Sequence, residues 1–219
     1  MMSQAFSWEL FQQAPLIGIM RNLPPISSRQ IAGLYAEAGL TTLEITLNSA
    51  NAPETISTLA NEFKGKLNIG AGTVCSLADL EQALSAGAQF IVTPILNPEV
   101  IKASVAANIP IFPGAYSPTE IYQAAQLGAS MVKVFPATKL GPEFIKDVLA
   151  PLSGLKLVPT GGISLNNITQ FFQAGAQGVG IGSDIFPKQL IQNEQWPELK
   201  NLFLDFLKKY HQFKGLPSK

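Results

Sequence analysis

The stretch MVKVFPA, residues 131–137, sets a lysine in the middle of an apolar run. Met131, Val132, Val134 and Phe135 surround Lys133, and Pro136 closes the run. A short apolar, β-prone run bounded by proline reads as a buried strand. Burying an ammonium is costly unless it is paired or gives up its proton. A sheet sandwiched between helix layers has no place for such a group. A closed barrel has an interior that can house it, so this lysine bears on the fold first.

Outward from it, similar runs recur: PLIGIM (15–20), TLEITL (42–47), LNIGAG (67–72), FIVTP (90–94), IPIFPG (109–114), LKLVPTGG (155–162) and GVGIGS (178–183). With residues 131–136 these make eight candidate strands, starting roughly every 20 to 27 residues, the pitch of a β-loop-α-loop unit. Amphipathic segments lie between them and carry helix-start signals, such as Ser76 before LADLEQALSAG and Ser117–Pro118 before TEIYQAAQLG. Gly39, Gly87, Gly128 and Gly175 stand where helices should stop. Phe6, Leu10 and Phe11 predict a short amphipathic helix before the first strand. No linker or charge block interrupts the series, which predicts one domain over 1–219, a (β/α)8 TIM barrel of the α/β class. A doubly wound open sheet is the alternative. The count of eight and the polar residues inside the runs favour closure.

Bulk composition narrows the function. The chain is 47% apolar and 14% charged, with 15 acids against 15 bases and no basic stripe, so nucleic acid is not expected as a partner. The single cysteine, Cys75, excludes an internal disulfide framework and fits a reducing cytoplasm. The beginning, MMSQAFSWELFQQ, lacks a basic n-region, and no apolar run approaches the roughly 18 residues of a membrane span, so neither secretion nor a membrane partner is expected.

Catalytic groups of a barrel gather at the C-terminal strand ends. There the chain offers Arg21, Glu44 with Asn48, Thr73, Thr93 with Pro94, PGAYS, Lys133 with Phe135, PTGGIS and GIGSD. Period-two alternation sets Thr42, Glu44 and Thr46 on one face and Leu43, Ile45 and Leu47 on the other. The apolar set suits the helix layer, which turns Glu44 inward. Lys133, between Val132 and Val134, points inward by the same argument. The second and sixth runs lie across an eight-stranded barrel, so the two side chains can converge. A buried lysine is driven toward its neutral amine, a nucleophile for carbonyls, and a nearby carboxylate can shuttle protons. A structural Lys–Glu ion pair filling the barrel would account for the same two residues.

Gly161, Gly162 and Ser183, after the seventh and eighth runs, stand where barrels commonly bind phosphate, although Gly-Gly alone is usually a turn. Arg21 is one of two arginines, and a planar fork at a strand end suits a carboxylate; a solvated surface arginine is the plainer reading. The only histidine, His211, lies in a C-terminal helix or tail, which removes His-based triads and His-rich metal sites. Cys75 has no histidine near it and reads as a small apolar filler. No carboxylate cluster recurs at strand ends, against a metal-dependent lyase.

LEITLNS (43–49), GAGTV (70–74), FIVTP (90–94), VKVFPA (132–137), PTGGIS (159–164) and GIGSD (180–184) resemble, in order and spacing, the 2-keto-3-deoxy-6-phosphogluconate (KDPG) aldolase family, from about Pro15 to Phe186. The resemblance implies a class I pyruvate aldolase of the Entner–Doudoroff pathway: metal-free, without cofactor, cytoplasmic and homotrimeric. Its small-molecule partners would be pyruvate and a phosphorylated 2-keto-3-deoxy sugar acid. It makes Lys133 the Schiff-base residue and Glu44 the general acid/base. Thr73 and Arg21 would hold the pyruvyl carboxylate, Gly161, Gly162 and Ser183 the phosphate, and Asn48, Pro94, Phe135 and Thr160 would complete the substrate site. One departure stands out. Asn48 occupies the position where gluconate-branch members carry arginine in TLR. LNS, Arg21 and GSDIF resemble the branch acting on the galactonate-derived epimer (KDPGal), whereas Thr160 in PTGG resembles the gluconate branch. The sequence is therefore a hybrid, with KDPG cleavage as the main expectation, KDPGal as the alternative, and 4-hydroxy-2-oxoglutarate as a further substrate. A barrel isomerase or epimerase and a non-catalytic sugar-phosphate sensor are the competing classes.

Overall fold

The computed structural model describes residues 5–216. Its strands are β1 (Leu16–Met20), β2 (Thr42–Thr46), β3 (Asn68–Gly72), β4 (Ile91–Val92), β5 (Ile111–Phe112), β6 (Gly114–Ala115), β7 (Val132–Val134), β8 (Leu157–Pro159) and β9 (Val179–Ile181). The helices are α1 (Trp8–Gln13), α2 (Pro25–Glu37), α3 (Ala52–Glu62), α4 (Leu77–Ser85), α5 (Pro98–Ala106), α6 (Pro118–Gln126), α7 (Gly141–Leu149), α8 (Ile168–Gln173), α9 (Lys188–Gln192) and α10 (Trp196–Lys214). All paired strands are parallel, in the order β5-β4-β3-β2-β1-β9 and β6-β7-β8.

These two sheets are one barrel of eight staves. The fifth stave is split into β5 and β6 by Pro113, which has no N–H to give to a ladder. It is continuous nonetheless. The carbonyls of Ile111, Pro113 and Ala115 accept from Ser130, Lys133 and Phe135 on one side, while Thr93 N–H donates to the Phe112 carbonyl on the other. A Thr160–Gly180 bridge joins the end of β8 to β9 and closes the ring.

Alternation along the staves sorts the core into two layers. Outward residues such as Leu43, Ile45, Ile69, Val132, Val134 and Val179 pack under the helices. Inward residues Ile17, Phe90, Val92, Phe112, Met131 and Val158 form a second cluster inside the barrel, joined by Phe6 and Phe11. Those two phenylalanines plug the N-terminal end of the barrel, with ring centroids 5.3 Å from Phe90 and 6.2 Å from Phe112 respectively. Each such ring contributes about 1.5–3 kcal/mol of apolar burial. Asn68, first residue of β3, fixes the plug: its Oδ1 accepts from Ser7 N–H at 2.8 Å and its Nδ2 donates to the Ser7 carbonyl at 2.9 Å. The amphipathic N-terminal helix expected from Phe6, Leu10 and Phe11 is α1, capped by the Ser7 side chain.

Capping boxes open α4 at Ser76 and α6 at Ser117, as their sequences predict. The four glycines expected to stop helices adopt φ between 87° and 102°, where a side chain would be strained. His211 lies within α10. The plug closes the N-terminal end of the barrel, where Asn68 and Thr42 are polar residues buried beside it.

Candidate active site

Lys133 on β7 and Glu44 on β2 face the barrel interior from opposite staves, four strand pairings apart. Both are buried, at 5% and 2% exposure. The carboxyl of Glu44 has room because β3 carries glycine beside it: a Cβ on Gly72 would fall on Glu44 Oε1. Across the barrel, Nζ of Lys133 lies 4.9 Å from the Phe135 ring centroid. Among the described residues, neither charged group has a hydrogen-bonding partner, and no ion pair joins them. Among the described residues no fully buried side-chain polar atom lacks a partner, so neither tip is fully buried. A structural Lys–Glu bridge would be closed; this pair stands apart.

Electrostatics follow from that separation. Burial holds the Lys133 amine below the ordinary lysine range; Glu44 opposes the shift and the Arg21 charge adds to it. Burial pushes the Glu44 carboxyl above the ordinary range, against the pull of Lys133 and then Arg21. Each group is moved toward its neutral form, which a nucleophilic amine and a proton-carrying carboxyl both require. Burial, followed by Asp79, pushes the half-buried Cys75 thiol up, against the pull of Lys133.

Beside this pair lies a cavity of about 520 Å³ at the C-terminal face. Arg21, Phe135, Thr160, Gly161, Gly162 and Ser183 all line it. Gly161 and Gly162 have φ of 93° and 74°, a turn open to glycine alone at no steric cost. The N–H groups of Gly161, Gly162, Ser183 and Asp184 donate to no acceptor among the described residues. A cluster of free N–H donors on a cavity wall is an anion cradle. Arg21 is exposed and, among the described residues, unpaired, whereas Arg29 is held by Glu62 at 2.7 and 2.9 Å.

Other candidates fall outside the cavity. Asn48 is exposed at the end of β2 and is not part of the wall. Pro94 is also off the wall; it follows Thr93, whose hydroxyl donates to the Ile95 carbonyl and accepts from Gly114 N–H at 3.2 Å. Thr73 follows Gly72 directly, and its φ of 61° is unusual for a β-branched residue. Arg21 and Ser183, expected at opposite ends of a substrate, share one cavity, because β1 pairs with β9 and their ends are neighbours. The wall also holds Asn22 and Lys188, which strand-end reasoning missed, and Asp184, which it reached only as part of GIGSD. Lys188 lies six residues beyond Gly182 in the chain, and no periodicity marks it as inward.

Comparison with known proteins gives the family and the fold. The family model for KDPG and KHG aldolase matches residues 9–202. The chain is 39% identical to the 2-dehydro-3-deoxy-phosphogluconate aldolase of Haemophilus influenzae over 173 residues, 78% of this chain and 81% of that protein. It is 35% identical to the 2-dehydro-3-deoxy-6-phosphogalactonate aldolase of Escherichia coli K12 over 173 residues, 78% of this chain and 84% of that protein. A crystal structure of KDPG aldolase from Legionella pneumophila, with pyruvate captured as a covalent carbinolamine, superposes with a TM-score of 0.83 at 28% identity. That superposition covers 89% of this chain and 95% of the Legionella protein.

Proposed function

This chain belongs to the KDPG and KHG aldolase family, and on that premise we propose that it cleaves 2-dehydro-3-deoxy-6-phospho-D-gluconate to pyruvate and D-glyceraldehyde 3-phosphate through a Schiff base on Lys133. It is an aldolase, a carbon–carbon lyase. The observation that carries the Schiff-base reading is the pair of buried groups, Lys133 and Glu44, unpaired among the described residues and held inward on opposite staves, with Phe135 running from the amine to the cavity wall.

The neutral Lys133 amine attacks the substrate's keto carbon, and the Glu44 carboxyl gives its proton to the carbinolamine hydroxyl, which leaves as water and yields a protonated imine. Glu44, as carboxylate, takes the proton of the C4 hydroxyl; the C3–C4 bond breaks and its electrons flow into the iminium. The aldehyde departs, leaving an enamine. Glu44 returns the proton to C3, and water hydrolyses the imine to release pyruvate. Thr73 and Arg21 hold the pyruvyl carboxylate, while the N–H groups at Gly161, Gly162 and Ser183 receive the phosphate. Phe135 borders both the amine and the cavity, so it shapes the passage between the two ends of the substrate. A cytoplasmic homotrimer completes the proposal; exposed apolar side chains at Leu77, Ile95, Tyr116 and Tyr122 support self-association.

Borohydride reduction in the presence of pyruvate tests the chemistry directly. Intact mass should rise by one reduced-pyruvate adduct per chain, and peptide mapping should find it in MVKVFPA. An adduct on exposed Lys139, or none, rules out the assignment.

A second reading, cleavage of the galactonate-derived epimer, is favoured by Arg21 on the cavity wall and by the phosphogalactonate aldolase among the relatives. Thr160 separates the two. Its hydroxyl lies over Gly180 on the cavity wall, and its intramolecular bond to the Val158 carbonyl is long, at 3.3 Å. A substrate hydroxyl can therefore compete for it. Thr160→Val should move the ratio of kcat/KM values toward the galactonate-derived epimer by roughly three- to tenfold, the worth of one net hydrogen bond. An unchanged ratio in steady-state assays of both epimers removes Thr160 from stereochemical discrimination.

A further inference from the structure

In the LNS motif the residue that bonds to the cavity wall, through Asn22, is the third one. Ser49 Oγ accepts the Asn22 backbone N–H at 2.8 Å and shares a hydrogen bond of 2.9 Å with Thr46 Oγ1. Its own N–H donates to the Thr46 carbonyl, also at 2.9 Å. Thr46 is fully buried at the end of β2, on the same face as Glu44 two residues earlier. Ser49 therefore ties the loop after β1 to the rigid end of the strand that carries Glu44.

What this tie holds is the backbone beside Arg21. Asn22 takes a left-handed φ of 53°, a conformation asparagine tolerates but does not favour over the ordinary regions. Arg21 lines the cavity, and its charge is felt at both Glu44 and Lys133. No ion pair among the described residues fixes its guanidinium. A long side chain with a free tip is aimed by its backbone alone, so whatever holds the Asn22 turn decides how often the fork points inward.

We propose that Ser49 is a positioning residue for Arg21, holding the Arg21–Asn22 turn so that the guanidinium faces the substrate's anionic group. The proposal rests on the aldolase reading above, in which Arg21 binds an anion. Strand ends set geometry more rigidly than loops, and anchoring a mobile cation to one lowers the ordering cost at binding.

A double-mutant cycle tests it. Arg21→Ala, Ser49→Ala and the double variant are assayed for kcat/KM in aldol cleavage, with Ser49→Thr as the conservative control. Ser49→Ala should lower kcat/KM about three- to tenfold, mainly through KM, in the presence of Arg21, and have no further effect in the Arg21→Ala background. Ser49→Thr, which keeps the hydroxyl, should recover most of the loss. Equal losses in the two backgrounds, or a Thr variant no better than Ala, overturn the proposal. An Arg21→Ala enzyme as active as wild type overturns it too. Failure of the aldolase reading itself would show separately, as absence of the pyruvate adduct on Lys133 in the wild-type chain.

Discussion

Lys133→Met is expected to abolish turnover and to raise the melting temperature. Methionine keeps the length and apolar stem of lysine but has no amine, so no imine forms and activity falls on the order of 10⁴-fold or more. Stability moves the other way because Lys133 is 5% exposed, has no ion pair, and pays for its charge in lost hydration. Removing that cost should stabilise the fold by about 0.5–2 kcal/mol near neutral pH. A lysine that were half of a structural bridge would behave oppositely, since breaking a buried pair costs about 3–5 kcal/mol. Linkage gives the pH window. The folded-state amine titrates below its ordinary value of 10.5, so its favourable contribution is complete above 10.5 and is lost as pH falls through the lowered value. The Met variant's advantage should therefore be largest at neutral and acidic pH and vanish in strong alkali. Thermal melts of both proteins across that range, beside an activity assay, check both halves. An inactive Met variant that melts earlier than wild type at neutral pH would restore the structural-bridge account.

Glu44→Gln is expected to slow turnover by about 10²–10⁴-fold, the span associated with a lost general acid–base group. Glutamine matches glutamate in shape, so it fills the space over Gly72 without disturbing β3, and only proton transfer is lost. Pyruvate trapping on Lys133 should survive in part in the variant, since attack needs the amine while dehydration of the carbinolamine loses its proton donor. The wild-type pH dependence carries the same signature. Burial raises the Glu44 carboxyl above its ordinary 4.5, so its stabilising contribution is complete below 4.5 and is lost as pH rises through the raised value. The Gln variant removes that titration, and its stability should fall less steeply than that of wild type as pH rises through that window. Single-turnover cleavage and melts over mildly acidic to neutral pH measure the two effects. Normal turnover in Glu44→Gln would reduce the glutamate to a charge neighbour.

How much of the site was legible beforehand depends on where each residue sits. Glu44 and Lys133 lie inside staves, where alternation ties residue number to barrel face, so TLEITL and MVKVFP already turn both inward. Gly161 and Gly162 end a stave and were legible as a glycine pair at the seventh position. Arg21 was legible by its place after the first run. Asn48 is exposed and off the cavity wall, while Ser49 beside it bonds to Thr46 and Asn22. Loop residues have no period, so nothing in LNS tells which side chain turns toward the barrel. Asp184, in the loop after β9, entered only as part of GIGSD, and Lys188, the first residue of the short helix α9, follows no strand-end pattern.

The sequence by itself determined the local grammar of this protein. Eight short apolar runs, hydroxyl caps at Ser76 and Ser117, and helix-ending glycines are each decided within a few residues, by alternation, orphan N–H groups and allowed φ. Tertiary structure alone decided what depends on closure. Only when β1 meets β9, staves from the two ends of the barrel sequence, do Arg21 and Ser183 enter one cavity. Only the finished barrel diameter keeps Lys133 and Glu44 apart rather than bridged. Both are distances between groups far apart in the chain, set by stave number and by the packing of Phe6, Phe11, Phe90 and Phe112 inside the ring, which no local pattern encodes.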